Sequence, residues 1–227
     1  MTDLKDYRKK ELRYYLLANI SLLLLLSEFF PLVQSSNVIQ IVNLVSTFFG
    51  ISLLSSTIFI LSFIFDGLVS SETKTLLIGG HSPGEKIFTK IKKESFDKRF
   101  TNTDAQRVYS KVFELMPNDK REKYLYENAE WYKIYNKHRD TNIIVSSHRD
   151  YLLYRDIYFA TIVNMIIYFG LIFGFKIISF NWQYLCYLSV MLIITNLGTR
   201  NKRKRFICNV IAYDIVNFKT TTKRNGE

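Results

Sequence analysis

Hydrophobic residues concentrate in two long blocks of the chain, and the first block covers residues 14–69. A helix needs about 20 apolar residues to cross a bilayer, so this block is long enough for two membrane-spanning helices. The polar triplet Ser35-Ser36-Asn37 divides it into Tyr14–Gln34 and Val38–Val69. Pro31 ends or bends the first helix, because proline lacks the N–H that continues the helical hydrogen bonds. The block therefore predicts a transmembrane hairpin.

The second hydrophobic block, residues 157–199, repeats this arrangement with a single charged residue, Lys176. It divides into Ile157–Phe175 and Ile177–Leu197, which are joined by a predicted turn from Lys176 to Asn181. Aromatic side chains that carry one polar atom favour the membrane–water interface. Three of them follow this turn, namely Trp182, Tyr184 and Tyr187. The second block therefore predicts a second transmembrane hairpin.

Between the two blocks lies a polar insert, residues 70–156, in which apolar residues recur at helical spacing. It opens with turn residues at Gly79–Gly84, which predict a loop. The predicted helices cover Glu85–Glu94, Thr103 or Asp104 to Met116, Lys120–Lys137 after a break and cap at Pro117-Asn118-Asp119, and Ile143–Arg155, which continues into the third span. The insert has too few apolar residues to fold alone as a robust domain. We therefore expect it to pack on the same insert of neighbouring subunits or on a partner.

The tail after residue 199 begins with a cluster of basic residues and continues with an amphipathic pattern. Its apolar positions recur at helical spacing, with polar residues placed on the other face: Phe206, Ile207, Val210, Ile211, Ile215 and Phe218 against Asn209, Asp214 and Asn217. Such a helix lies on the inner leaflet or lines a cytoplasmic vestibule in one interpretation. In the other, it packs on the central insert.

The pattern as a whole predicts an all-α membrane protein with two transmembrane helical hairpins flanking a cytoplasmic helical insert. Its segments are a cytoplasmic basic tail (1–13), transmembrane hairpin 1 (14–69), the insert (70–156), transmembrane hairpin 2 (157–199) and a basic amphipathic tail (200–227). A cleaved signal peptide is the alternative for residues 1–30, but no Ala-x-Ala-like cleavage site follows them. Buried core helices of a soluble domain are the alternative for the second block, but the chain has too little polar surface to cover them.

Charge sets the predicted orientation. The chain of 227 residues carries 31 Lys and Arg against 20 Asp and Glu, for a net charge of +11. Nearly all the basic residues lie in the two tails and the insert, while the predicted hairpin turns hold only Lys176. Positive charge near the ends of spans stays on the cytoplasmic side. We therefore expect a multi-pass inner-membrane protein with both termini in the cytoplasm. Cys186 lies in the predicted fourth span and Cys208 lies on the reducing cytoplasmic side, so we expect no structural disulfide.

Motifs of catalysis are incomplete in this sequence. His138-Arg139-Asp140 and His148-Arg149-Asp150 both match the kinase catalytic triplet, but neither is followed by the required Asn, and the other kinase motifs are absent. Three scattered histidines do not have the short paired spacings of zinc ligands. Gly79–Gly84 lacks the Lys-Ser/Thr of a phosphate loop. The sequence therefore predicts no catalytic residue, no metal site and no cofactor, and we expect the protein not to be an enzyme.

Small and polar residues inside the predicted spans form the first set of candidate functional residues. Glu28 would be costly inside a bilayer and could form an acidic ring in an oligomer, or it lies in the outer headgroups. Small residues four apart allow close helix packing, and a Ser/Thr face could instead line a pore. These pore or helix-packing candidates are Glu28, Asn43, Ser46, Gly50, Ser52, Ser56, Gly170 and Gly174.

The basic cluster of the tail forms the second set. It comprises Arg200, Lys202, Arg203, Lys204 and Arg205. A cluster of this kind next to a predicted span favours binding to the anionic lipids of the inner leaflet. Contact with another protein, and with nucleic acid or a nucleotide messenger, is left open. Together the two sets favour a homo-oligomer in an anionic bilayer.

Three sequence features carry a resemblance to a known class. The insert opens with Gly79-Gly80-His81-Ser82-Pro83 and contains an Arg107-x-Tyr109-x-x-x-Phe113 helix, and the basic cluster precedes Phe206–Ala212. In this layout the chain resembles the small four-span membrane proteins that accompany prokaryotic antiviral systems, including accessory proteins of RNA-targeting CRISPR effectors and effectors of nucleotide-signalling defence. The resemblance implies an accessory or effector role that perturbs membrane permeability. The alternative is a non-conducting tether that recruits or restrains a soluble nuclease of the defence system.

Overall fold

The computed structural model describes residues 4–24, 56, 60–61, 64–65, 67–79, 82–93, 97–176 and 179–224. Its elements are helices, as the sequence predicts: α1 (Leu4–Leu24), α2 (Ser71–Leu77), α3 (Ile87–Lys93), α4 (Asn102–Val108), α5 (Ser110–Glu114), α6 (Lys120–His138), α7 (Asn142–Phe169), a π-helical turn (Gly170–Gly174) and α8 (Trp182–Arg224). The all-α class is therefore confirmed.

The chain divides into two compact units. The apolar unit consists of residues 1–78 and 152–199, and the insert–tail unit consists of residues 79–151 and 200–227. Two long helices, α7 and α8, contribute residues to both units. The continuation of α7 from the insert into the second hydrophobic block is confirmed.

The apolar unit is built on aromatic and aliphatic packing between α1, α7 and α8. Its buried residues form one cluster: Ile20, Leu23, Tyr168, Leu171, Tyr184 and Leu188. Polar contacts support this packing, since the hydroxyl groups of Tyr15 and Thr161 lie 2.7 Å apart. Hydroxyl side chains of the buried faces also bond to their own helix, as Thr199 donates to the carbonyl of Thr195 at 2.7 Å. These bonds leave few polar groups of the described helices without a partner.

Large hydrophobic side chains cover much of the outer surface of the apolar unit. Phe173 is 69% exposed, Ile166 and Ile193 are each 61% exposed, and Leu197 is 56% exposed. Apolar surface of this extent is typical of contact with lipid or with another protein. Among the described residues, one helix, Asn142–Gly174, is long and apolar enough to cross a membrane, with a mean hydropathy of 1.9. The arrangement of four spans stays a prediction.

The predicted turn between the helices of the second block is shaped by Asn181. The end of the predicted turn, Asn181, is confirmed, because α8 begins at the next residue, Trp182. The side chain of Asn181 accepts a hydrogen bond from the backbone N–H of Tyr184 at 3.0 Å and so caps α8. The backbone of Asn181 is held in turn by the hydroxyl of Tyr168, which donates to its carbonyl at 2.9 Å.

The insert–tail unit has a core of aromatic side chains contributed by α3, α6, α7 and α8. Trp131 is fully buried, stacks on Tyr135 at 5.5 Å and meets the ring of Phe206 edge-on at 5.4 Å. Phe206 also stacks on the imidazole of His148 at 4.6 Å. Because Phe206 belongs to the tail, the tail completes the core of the insert within one chain. The insert therefore finds a packing partner in the tail of its own chain. Packing on a neighbouring subunit stays a prediction.

The tail interpretation in which the helix packs on the insert is therefore confirmed, and one detail of it is wrong. Asn209 and Asp214, which the pattern assigns to a polar outer face, are buried, with exposed fractions of 5% and 7%. The burial of each side chain is tolerated because it accepts a hydrogen bond from a polar side chain of the insert. Arg99 donates to Asn209 at 2.8 Å, and Tyr109 donates to Asp214 at 3.0 Å.

Two predicted helix starts in the insert are wrong by two residues. The first insert helix, α3, begins at Ile87 rather than Glu85, since Lys86 adopts a left-handed backbone conformation with φ 62°. Its free N–H groups are satisfied by the buried carboxylate of Glu127, which accepts from Phe88 at 3.1 Å.

The second is α4, which is capped by Thr101 rather than by Thr103 or Asp104. The Thr101 hydroxyl accepts from the N–H of Asp104, and the Asp104 carboxylate accepts from the N–H of Thr101. The predicted run to Met116 is interrupted at Tyr109, so that α5 follows as a separate short helix. The predicted break and cap before α6 are confirmed, because the carboxylate of Asp119 accepts hydrogen bonds from the backbone N–H groups of Arg121 and Glu122.

We expect Gly84→Ala to destabilise the insert–tail unit by about 1–3 kcal/mol, as overpacking does in well-packed cores. A Cβ atom at Gly84 would lie 2.6 Å from the Cβ of Trp131 and 2.9 Å from the Cα of Asn128, so backbone would have to move. Thermal unfolding of the purified full chain in detergent measures this loss. Gly174→Ala is the matched control, since a Cβ there meets no described atom within 4 Å. An equal effect of both substitutions would contradict the close packing at Gly84.

Candidate functional site

The basic cluster of the tail is divided by the helical geometry of α8. Lys202 and Arg203 turn toward the insert: the amine of Lys202 pairs with Asp150 at 2.8 Å, and Arg203 donates to the carbonyl of Ser82 at 3.0 Å. Burial lowers the pKa of Arg203 below its ordinary value. These two cations therefore hold the tail and the insert together rather than facing a ligand.

The remaining basic residues face outward, and two of them line a cleft. Asn201, Lys204, Arg205 and Cys208 lie on one face of α8, at the spacing that brings helix residues together. Opposite them lies the segment Asp97–Arg99, which precedes α4. Together these residues border an open surface cleft of ≈ 590 Å³, which we call the cationic cleft. Its walls carry four basic side chains and one carboxylate.

The carboxylate of the cationic cleft is neutralised by a bidentate ion pair. Arg99 donates through Nε to Oδ1 of Asp97 at 2.9 Å and through Nη2 to Oδ2 at 2.7 Å. These hydrogen bonds lower the pKa of Asp97 below its ordinary value. The third contact of the guanidinium is the bond from Nη1 to Asn209 at 2.8 Å. Arg99 is therefore fixed in orientation while its side chain stays 42% exposed.

The floor of the cationic cleft is formed by Cys208. Burial raises the pKa of its thiol to about 12, and the carboxylate of Asp97 adds to the shift. The thiol is therefore neutral at physiological pH and a poor nucleophile. Within the described residues, Lys98, Lys204 and Arg205 form no ion pair, so their charges are available to an anion in the cleft.

A second polar cluster surrounds Asp214 in the interior of the insert–tail unit. His138 Nε2 lies 2.7 Å and Lys137 Nζ lies 3.1 Å from Oδ1 of Asp214, and the Tyr109 hydroxyl donates to Oδ2. Burial raises the pKa of Asp214, but the bonds from His138, Lys137 and Tyr109 outweigh burial and lower it overall. Burial and the nearby carboxylate raise the pKa of Tyr109. The His138 and Asp214 side chains are each 9% exposed, and the cluster joins α8 to α4 and α6.

The predicted pore or helix-packing residues lie only partly in the described structure. Glu28, Asn43, Ser46, Gly50 and Ser52 lie outside the described residues. Ser56 is helical and exposed. Gly170 and Gly174 are in the π-helical turn, where a Cβ on either would meet no described atom within 4 Å. Among the described glycines of the apolar unit, a close helix approach occurs at Gly198, whose added Cβ would lie 2.5 Å from the Tyr154 ring.

Sequence reasoning identified one wall of the cationic cleft and missed the other. Lys204 and Arg205 belong to the predicted basic cluster, but Lys98 and Arg99 come about a hundred positions earlier. No local pattern connects the two segments, because the contact is set by the packing of the tail on the insert. Asn209 was the available signal in the sequence, since a polar residue among the apolar positions of a helix needs a partner when it is buried.

The described helices and the cationic cleft define an all-α fold with a site suited to an anion. No protein-family model, curated protein or solved structure matches the chain. The resemblance to the membrane proteins of antiviral defence therefore stays a prediction.

Proposed function

We propose that the chain is an integral membrane protein that oligomerises and perturbs membrane permeability when an anionic ligand engages its insert–tail unit. The proposed role is that of an accessory or effector protein of bacterial antiviral defence, as the resemblance implies. The apolar unit would lie in the inner membrane, and the insert–tail unit would face the cytoplasm. The observation that carries the proposal is the course of α8 through both units.

Helix α8 supplies both the ligand-facing residues and part of the apolar unit. Residues 182–199 belong to the apolar unit, and Lys204 and Arg205 follow in the same unbroken helix. A ligand held by these cations acts on the segment that is predicted to cross the bilayer. The ligand can shift this segment from one conformation to another only if it binds the two conformations with different affinities. The cationic cleft on α8 satisfies the structural requirement for such control.

The exposed side chains of the apolar unit support a membrane environment. Helix α7 and the adjoining turn present Ile166 and Phe173 to the outside, and α8 presents Val190, Ile193 and Leu197, each more than half exposed. In water, burying such surface is worth about 25 cal/mol per Å² of apolar area. The unit is therefore favoured to bury these side chains in lipid or against other copies of itself.

We expect the double substitution Ser52→Leu and Ser56→Leu to remove most of the ion flux through the protein. The two serines lie four positions apart in the predicted second span, so they share one helix face. Replacing a polar pore lining with leucine creates a hydrophobic constriction that excludes water. The measurement is dye-reported ion flux in liposomes that contain the purified full chain and anionic lipid.

Cys186→Leu is the control for this experiment, because it adds similar apolar bulk at an exposed position of another predicted span. It should leave the flux unchanged. Mass photometry of each variant checks that the oligomer is intact. Wild-type liposomes without flux above protein-free liposomes would refute the pore and favour the non-conducting tether.

A further inference from the structure

The geometry points to a binding site for a phosphate group in the cationic cleft, formed by Arg99, Lys98, Lys204 and Arg205. This assignment rests on the proposed function, because it names the chemical class of the anion that engages the insert–tail unit. Phosphate groups reach such a site from two sources, the headgroup of an anionic lipid and a soluble phosphate compound.

Arg99 provides a preorganised donor for this group. A guanidinium has five N–H donors, and Asp97 and Asn209 occupy three of them. One N–H on each terminal nitrogen is left for a ligand in the cleft. Because the ion pair and the bond to Asn209 already fix the side chain, little conformational entropy is lost when a phosphate binds. Arginine held in this way suits the bidentate geometry of phosphate oxygens.

The surrounding charges favour a ligand with more than one negative oxygen. The pair of Asp97 and Arg99 is neutral as a unit, so Lys98, Lys204 and Arg205 give the cleft a net positive charge. The neutral thiol of Cys208 at the floor adds no repulsion. The cleft is open to solvent, and its volume of ≈ 590 Å³ is in the range of small-molecule sites, about 300–1,000 Å³. The cleft thus combines size, charge and a fixed donor for a phosphate group.

The position of the cationic cleft along α8 places it close to a predicted membrane surface. Thr199 ends the predicted second transmembrane hairpin, and Arg205 follows six residues later, about 9 Å along the helix at the standard rise. The headgroup region extends roughly 5–8 Å beyond the hydrocarbon on each side. A lipid phosphate at this boundary and a soluble phosphate in the adjoining water are therefore both within reach of the cleft.

The test measures binding to the full chain in neutral detergent, with two arms that distinguish the sources. In one arm, native mass spectrometry counts bound phosphatidylglycerol against phosphatidylcholine. In the other, calorimetry measures binding of inorganic phosphate and pyrophosphate. In whichever arm shows binding, the variant Lys204→Gln with Arg205→Gln should weaken it by about 25-fold, at roughly a factor of five for each cation removed near a surface.

Lys120→Gln with Arg121→Gln is the matched control, because it removes the same two charges from the exposed start of α6. This control should bind like the wild type. Binding in either arm that depends on Lys204 and Arg205 supports the assignment and identifies the source. Absence of binding in both arms, or equal weakening by the control, overturns it. Ligand binding with no liposome flux would refute the proposed function alone, and flux with no ligand binding would refute this inference alone.

Discussion

Replacing Trp131 with alanine is expected to destabilise the insert–tail unit by about 3–5 kcal/mol, the loss found for large aromatic residues in cores. The indole is fully buried and packs against Tyr135, Phe206 and the adjacent Tyr132, all at centroid distances between 5.1 and 5.5 Å. Its removal leaves a cavity at the contact between insert and tail. Because Phe206 belongs to α8, the substitution also loosens the tail from the insert.

The buried thiol of Cys208 provides a readout specific to this unit. In a Cys186→Ser background, Cys208 is the remaining cysteine, with an exposed fraction of 6% and a pKa raised by burial to about 12. Alkylation of this thiol therefore requires the unit to open. A loss of 3 kcal/mol or more should speed labelling by a factor of roughly 100 or more, since each 1.4 kcal/mol is a factor of ten.

Two further variants define what the indole contributes. Leu125→Ala on the same helix is the control, because Leu125 is 63% exposed and should change the labelling rate little. Trp131→Phe should lose only about 1–2 kcal/mol. It keeps an aromatic ring and removes Nε1, which is buried without a hydrogen-bond partner among the described residues. Equal labelling of wild type and Trp131→Ala would show that the indole does not hold the tail on the insert.

The helical class and most helix positions follow from local patterns that the sequence shows directly. The Pro117–Asp119 break predicts the start of α6 because Asp119 is a good cap. The same kind of reasoning places α4 two residues late, since Thr101, Thr103 and Asp104 are all acceptable caps. The capping box decides between them, and it depends on both Thr101 and Asp104 reaching each other's backbone.

The cationic cleft is less predictable because it depends on contacts between distant segments. Alternation of apolar and polar residues along α8 suggests an exposed Asn209 and Asp214, and the structure buries both. Their partners, Arg99 and Tyr109, come from the insert, so one helix read alone cannot reveal them. Buried polar residues of this kind are tolerated only with hydrogen-bond partners. A polar residue inside an apolar stripe therefore predicts a hydrogen-bond partner from another segment rather than exposure to solvent.

Replacing Asp214 with alanine is expected to destabilise the insert–tail unit by about 3 kcal/mol at pH 7, as the loss of one partner in a buried charged contact does. The substitution leaves His138, Lys137 and the Tyr109 hydroxyl without their shared acceptor. The loss at Tyr109 is the largest, because this residue at the C-terminal end of α4 is buried and its hydroxyl would be left without an acceptor. Asp140→Ala is the control, since that side chain is 65% exposed and its ion pair with Arg139 spans 3.7 Å.

The pH dependence of this loss follows from the direction of the pKa shift. Hydrogen bonds lower the pKa of Asp214 in the folded chain, so its carboxylate stabilises the fold at every pH above the ordinary aspartate value of about 3.9. As the pH falls below that value toward the lower folded pKa, the folded state gains no proton while the unfolded state does. The stability difference between wild type and Asp214→Ala should therefore shrink as the pH falls below about 4. Chemical denaturation followed by circular dichroism is the measurement, because labelling of the Cys208 thiol is too slow at such low pH. Histidine side chains take up a proton between about pH 7 and 5, and His138 lies 2.7 Å from Asp214, so the comparison starts at pH 5. A difference that grows as the pH falls from 5 to 3 would show that Asp214 is protonated in the folded chain and that the proposed charge network is absent.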